Sequence, residues 1–171
     1  MDDKKIWFSI LVVGIFFHAA ATLVMPLGLD AYVHLNYVTD GIDDGSPSLD
    51  WGEIRTNGAE YSTPEEVSAD DRWMVWHAII GLWIAVFGNT LASLHMLSLV
   101  IFLLTLTTVY WCTSRITNTS NALALTAICA IYSPLIRATG RLYQENIILL
   151  LATLIIFGLL QIKWKKRPTL W

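Results

Sequence analysis

Long apolar runs separated by short polar segments fill most of this chain. The runs cover residues 6–25, 73–87, 91–112, 121–136 and 146–162. All but the second approach or reach the length of about 17 to 25 residues that a helix needs to cross a bilayer. The pattern therefore predicts an all-α integral membrane protein.

The second run decides how many times the chain crosses the membrane. It has 15 residues, roughly 22 Å as a helix, and its three Trp residues and His77 suit a helix lying at the membrane interface. Without it, four spans remain, at about 6–26, 91–113, 120–138 and 145–163. Lys4, Lys5, Arg115 and the C-terminal basic cluster then lie on one side, which the positive-inside rule assigns to the cytoplasm.

This topology predicts four transmembrane helices and a long outer first loop, residues 27–90, that contains short interfacial helices. We expect a multi-pass protein of the cell membrane with both termini in the cytoplasm. Two alternatives stay open. The 73–87 run could be a short, tilted fifth span, and the first run could be a cleaved signal peptide, although its apolar residues continue past the small residues Ala19 to Ala21.

Composition supports the membrane assignment, and most of the acidic residues lie in the predicted outer loop. Hydrophobic residues make up 55% of the chain, and mean hydropathy is +0.54. Eleven of the 14 acidic residues fall within residues 28–72, which hold only two basic residues. This acidic stretch would repel a phosphate backbone, so nucleic acid is not an expected partner.

The start of the outer loop differs from the rest of it. Leu29, Tyr32, Val33 and Tyr37 have helical spacing, which predicts a short helix along the membrane surface. Residues 39–71 are rich in Gly, Asp, Ser and Pro without a sustained period, so we expect them to be irregular.

Six polar residues near the expected outer ends of the spans carry the candidate chemistry. They are Asp30, His34, Arg137, Arg141, Tyr143 and Glu145. Such a set suits transfer of a sugar from a polyprenyl phosphate. The departing phosphate gains negative charge and needs guanidinium partners, and the acceptor must lose a proton to a carboxylate.

In that reaction Asp30 would be the catalytic base, and Glu145, the second predicted catalytic residue, would orient the acceptor or form the second face of the site. Arg137 and Arg141 would bind the donor phosphate, and the remaining two residues, His34 and Tyr143, would contact substrate or a metal. Simpler roles are open too: Asp30 could cap the loop helix, and the arginines and Glu145 could form a loop ion pair or reach lipid head groups. Asp30 and His34 lack a clear third ligand, so we predict neither a metal site nor a cofactor, and use of a divalent metal stays open.

Four features occur along the chain in a recognisable order. A first span is followed at once by Asp30-Ala-Tyr-Val-His-Leu-Asn-Tyr; an aromatic-rich stretch from Arg72-Trp-Met ends at Phe87-Gly88; His95 follows seven positions later; and Ser133-Pro134 precedes Arg137, Arg141 and Gln144-Glu145. This order resembles the N-terminal part of the GT-C superfamily of membrane glycosyltransferases, which includes protein mannosyltransferases, aminoarabinose transferases and the oligosaccharyltransferase catalytic subunit.

The resemblance implies a single truncated GT-C-like module over residues 1–171, with Asp30 as catalytic base and Glu145 as a second-site acid. Its partners would be a lipid-linked sugar donor, the membrane, and either the missing remainder of the enzyme or another subunit. The chain departs from the family in having one acid at Asp30 and no Pro-Pro pair. Two other classes stay open: a noncatalytic membrane subunit whose acidic outer loop docks a partner, and a small transporter.

Overall fold

The computed structural model describes residues 3–28, Ala31, Leu35, 38–39 and 74–165. Within these residues the chain forms helices and no strands, so the predicted all-α class is confirmed there. The helices are α1 (Asp3–Val24), α2 (Met74–Phe87), α3 (Leu91–Ser114), α4 (Thr119–Ile131), α5 (Ser133–Arg141) and α6 (Glu145–Lys165).

Two of these helices, α1 and α3, are long and apolar enough to cross a membrane. Helices α4 and α5 together would make a third span, although a 57° bend separates them. Two other apolar helices are shorter than the candidate spans: α2, and the part of α6 whose side chains are described, Glu145–Leu160. The described residues thus provide two or three candidate spans, and the four-span topology stays a prediction.

The chain divides into two units, one formed by Met1–Pro26 with His95–Trp171 and the other by Leu27–Leu94. In the first unit, α1 packs closely against α4 and α5 through small residues. A Cβ atom on Gly14 would lie 2.7 Å from the Ala130 backbone oxygen, and one on Gly140 would lie 3.0 Å from the Ala21 Cβ. Such contacts let helix backbones approach closely and are common between membrane helices.

The side chains of α1 are sorted by size in a way that suits lipid. Its buried residues are Gly14, His18, Ala21 and Thr22, whereas Phe16 and Leu23 are 67% and 86% exposed. A water-soluble protein would bury these large apolar side chains. Because lipid is as apolar as leucine, small and polar residues face the neighbouring helices instead.

The predicted third span, residues 120–138, is not continuous. The backbone at Tyr132 is extended, with φ −70° and ψ 110°, and α5 begins with Pro134 in its first turn. Proline lacks a backbone N–H, and inside a helix its ring would clash with the carbonyl four residues earlier, but it is tolerated in the first turn of a helix. It therefore breaks the span and starts a second helix, which continues to Arg141.

In the second unit, α2 and the start of α3 meet through a tight turn. Gly88 ends α2 with φ +78°, and the Thr90 hydroxyl accepts a hydrogen bond from the Ser93 N–H at 3.2 Å. The Trp83 indole donates to the Ser93 hydroxyl at 2.9 Å. The helix expected over 73–87 is present with 14 residues, and its interfacial position stays a prediction.

Candidate functional site

An open cavity lies where the α4–α5 break and the α5–α6 turn meet, and its volume is about 640 Å³. Its lining combines a cation, an acid and hydroxyl groups with apolar surface: Tyr132, Ser133, Pro134, Leu135, Arg137, Ala138, Tyr143 and Glu145. Three residues that the sequence singled out, Arg137, Tyr143 and Glu145, thus share one cavity.

The α5–α6 turn brings Tyr143 and Glu145 to the same cavity as Arg137. Leu142 ends α5 in the left-handed conformation, with φ 57° and ψ 44°, and the Tyr143 N–H donates to the Ala138 carbonyl at 2.9 Å. A non-glycine residue rarely adopts this conformation. The Leu142 side chain is fully buried, and this burial offsets the backbone strain, so the turn is firmly held.

The charged groups at this cavity have no partners within the described part of the chain. Arg137 and Glu145 are exposed and make neither a hydrogen bond nor an ion pair there, and the Nε atom of Arg141 is buried without a hydrogen-bond partner. The loop ion pair considered as a simpler role is therefore absent among these residues. The Arg137 guanidinium and the Glu145 carboxylate are available to a ligand.

The two arginines predicted to bind the donor phosphate differ in their relation to the cavity. Arg137 and Arg141 both lie on α5, because Pro134 starts a new helix there. Only Arg137 is among the residues that line the cavity. Asp30 and His34 lie outside the described residues, so their catalytic and contact roles stay predictions.

The end of α1 reaches the same end of the unit as the α5–α6 turn. A Cβ atom on Gly140 would lie 2.7 Å from the Met25 sulfur, and His95, near the start of α3, lies close to the backbone of Thr22. The C-terminal ends of α1 and α5 therefore lie next to each other.

The opposite face of α5 carries a buried polar network that the sequence did not reveal. Thr139 is fully buried, and its hydroxyl oxygen lies 2.8 Å from the His18 Nδ1 atom and 2.9 Å from the Asn146 Nδ2 atom. Its carbonyl accepts from the Ser98 hydroxyl at 2.7 Å. Polar residues inside apolar spans were the available signal, but spacing alone could not indicate which of them pair.

The described residues contain no group of three or more His, Cys, Asp or Glu side chains that could hold a metal ion. No protein-family model, curated protein or solved structure matches the chain.

The cavity residues fit a ligand with an anionic group and an apolar chain. A guanidinium can make two parallel hydrogen bonds to a phosphate, and Pro134, Leu135 and Ala138 give an apolar wall beside it. A carboxylate such as Glu145 accepts hydrogen bonds from hydroxyl groups. The cavity therefore suits a lipid phosphate that carries, or lies beside, a hydroxyl-rich group.

Proposed function

We propose that this chain is a glycosyltransferase-like membrane module that uses a polyprenyl-phosphate-linked sugar as donor at the outer membrane face. The observation that carries the proposal is the cavity shared by Arg137, Tyr143 and Glu145, in which neither charge has a partner among the described residues. The apolar wall next to Arg137 supports a lipid-borne ligand, since a soluble phosphate would gain nothing from it.

The reaction assigns one role to each group. An acceptor hydroxyl oxygen attacks the anomeric carbon of the donor and gives its proton to Asp30, and the bond from that carbon to the phosphate oxygen breaks. Arg137, assisted by Arg141, stabilises the negative charge that develops on the departing phosphate. Glu145 accepts hydrogen bonds from the sugar or the acceptor and orients it, and Tyr143 contacts the substrate.

The proposal includes the four-span topology, with both termini in the cytoplasm and residues 27–90 outside. It also includes a second component, either the remainder of a longer enzyme or another subunit, that completes the donor pocket. The competing function is a noncatalytic subunit that docks a partner through its acidic loop. The residues of that loop from 40 to 73 lie outside the described part of the chain.

Binding of a long-chain polyprenyl phosphate to the chain in nanodiscs tests the first step. We expect the phosphate to bind and the matching polyprenol, which lacks it, to bind far more weakly. Arg137→Gln should weaken phosphate binding by about 10- to 100-fold, because a hydrogen bond to a charged group contributes about 1.5–3 kcal/mol.

Arg115→Gln is the matched control. Arg115 is exposed, and its guanidinium carbon lies 5.3 Å from the centre of the Trp111 ring. It follows the C-terminal end of α3, whereas His95 lies near the N-terminal end of that helix. Equal binding of the phosphate and the polyprenol, or equal losses in the two arginine variants, would refute the proposed donor site.

A further inference from the structure

At the break between α4 and α5, the Ala130 carbonyl lacks its usual helical partner. In a continuous α-helix the Ala130 carbonyl would accept the N–H of residue 134, but that residue is Pro134 and has no N–H. An unpaired carbonyl inside an apolar unit is costly. The His18 Nε2 atom on α1 lies 3.1 Å from the Ala130 oxygen and so supplies the missing donor.

The other nitrogen of the same ring bonds the second half of the broken span. The His18 Nδ1 atom lies 2.8 Å from the Thr139 Oγ1 atom on α5, while Ala130 belongs to α4. The ring is fully buried and stacks on Phe102, with 3.4 Å between centroids and 11° between planes. One imidazole therefore joins α4 to α5 across the 57° bend.

The hydrogen-bond directions agree with this bridging role. A carbonyl only accepts, so the His18 Nε2 atom carries the proton, and in a neutral ring Nδ1 then accepts the Thr139 hydroxyl proton. The Thr139 oxygen in turn accepts from the Asn146 Nδ2 atom at 2.9 Å. The chain of bonds thus runs from α6 through α5 and α1 to α4. The same hydroxyl also lies 2.9 Å from the Leu135 carbonyl, which is its alternative acceptor.

We propose that His18 is a positioning residue that clamps the α4–α5 break and thereby sets the shape of the cavity. The cavity lining begins at the break with Tyr132 and Ser133 and reaches Arg137 about one turn later. Rotation of α5 by about 20° at Tyr132 would shift Arg137 by roughly 2.5 Å, given a rise of 1.5 Å per residue. That shift would spoil the geometry of a bidentate phosphate contact. The ligand part of this inference rests on the proposed function, and the clamp itself does not.

A distance measurement tests the clamp without any ligand. Spin labels are placed in nanodiscs at two exposed residues, Asn121 on α4 and Ile148 on α6. Because α6 follows α5 directly, a change in the bend between α4 and α5 changes the distance between the two labels. His18→Phe keeps an aromatic ring against Phe102 and removes both hydrogen bonds, so we expect the distance distribution to shift or broaden by several ångströms. The control Phe17→Leu, at a neighbouring position that is 51% exposed, should leave it unchanged. An unaltered distribution in His18→Phe would overturn the clamp.

A double-mutant cycle tests the specific pairing with the carbonyl. Pro134→Ala restores an N–H and removes the ring that keeps α4 and α5 apart, so the two helices can join and residue 134 can donate to the Ala130 oxygen in place of His18. We expect His18→Phe to lower the melting temperature by about 5 °C or more in the native chain, and by less than half of that in the Pro134→Ala background. Additive effects of the two substitutions would overturn the assigned role of His18.

Variants of Thr139 separate positioning from bulk stability. Thr139→Ser keeps the hydroxyl and should retain the native distance distribution and phosphate affinity, whereas Thr139→Val keeps the shape and should lose both. If His18→Phe does not accumulate in membranes, Thr139→Val tests the same bond. Equal behaviour of the serine and valine variants would count against the clamp.

The two proposals fail in different ways. Suppose that Arg137→Gln leaves polyprenyl phosphate binding intact, while His18→Phe shifts the distance and the double-mutant cycle is non-additive. The clamp is then supported and the donor site is refuted. If Arg137→Gln abolishes binding while both clamp measurements are negative, the donor site stands and the clamp is refuted.

Discussion

Polar residues on the two faces of α5 differ in their burial and in their hydrogen bonding. On the packed face, Thr139 is fully buried and bonded to α1, α3 and α6. On the open face, Arg137, two residues earlier, is exposed and makes no hydrogen bond or ion pair within the described chain. Both faces carry polar groups, but only those on the packed face form hydrogen bonds with neighbouring helices.

This difference separates structural from recognition roles on physical grounds. A buried hydroxyl with several partners fixes the arrangement of helices, because losing a partner leaves another polar atom unpaired in an apolar environment. An exposed charge without a partner contributes little to folding, since water already solvates it. Substitutions on the packed face should therefore change stability, and those on the open face should change binding or transfer.

The largest expected effect tests whether the open face belongs to a catalytic site. Asp30→Asn should lower sugar transfer from a polyprenyl-phosphate donor by about 10²- to 10⁴-fold, the usual contribution of a general base. Transfer is measured in membranes that contain the full chain with any completing component, and membrane insertion is checked in parallel. Undiminished transfer would remove the catalytic role and favour the partner-docking subunit.

The next effect tests the packed face at its closest approach. Gly14→Ala places a methyl group 2.7 Å from Ala130 atoms, including the backbone oxygen, so we expect a loss of about 1–3 kcal/mol of stability. Gly158→Ala is the control, because its Cβ would meet no atom within 4 Å, and it should be neutral or slightly stabilising. Similar unfolding curves for the two variants would contradict the close packing of α1 on α4.

Removing a single hydroxyl tests the packed face at its hub. Thr139→Val should cost about 1–2 kcal/mol, because it leaves the His18 and Asn146 nitrogens without a partner. Thr107→Val removes an exposed hydroxyl that bonds only its own helix, at the Leu103 carbonyl, and should change stability by less than about 0.5 kcal/mol. The measurement is reversible unfolding in mixed micelles, and equal effects would mean that the network is not stabilising.

The smallest effect on stability is expected on the open face. Glu145→Gln should leave the free energy of unfolding within about 0.5 kcal/mol of the native value, since the carboxylate is exposed and has no ion pair among the described residues. The same variant should reduce sugar transfer if Glu145 orients a hydroxyl group. A clear loss of stability would instead mean that Glu145 stabilises the fold, and would contradict the proposed difference between the packed and open faces.

Several features of the fold were predictable from local sequence. The apolar runs indicated α1, α3 and the start of α6 closely, and the short 73–87 run indicated α2. Pro134 lies inside the predicted third span, and the separate helix α5 that begins there was not predicted. Proline at a helix start permits a further helix as readily as it ends the previous one, so the local sequence did not show that Arg137 and Arg141 lie on a helix of their own.

By itself, the sequence determined the helical class and the positions of the apolar segments, because a chain in lipid must satisfy its backbone hydrogen bonds within helices. The tertiary structure alone decided which polar residues pair. His18 and Thr139 are 121 positions apart, and no local pattern links them. It also decided that Arg137 rather than Arg141 lines the cavity. These outcomes depend on how helices approach one another, which the close contacts at Gly14 and Gly140 govern.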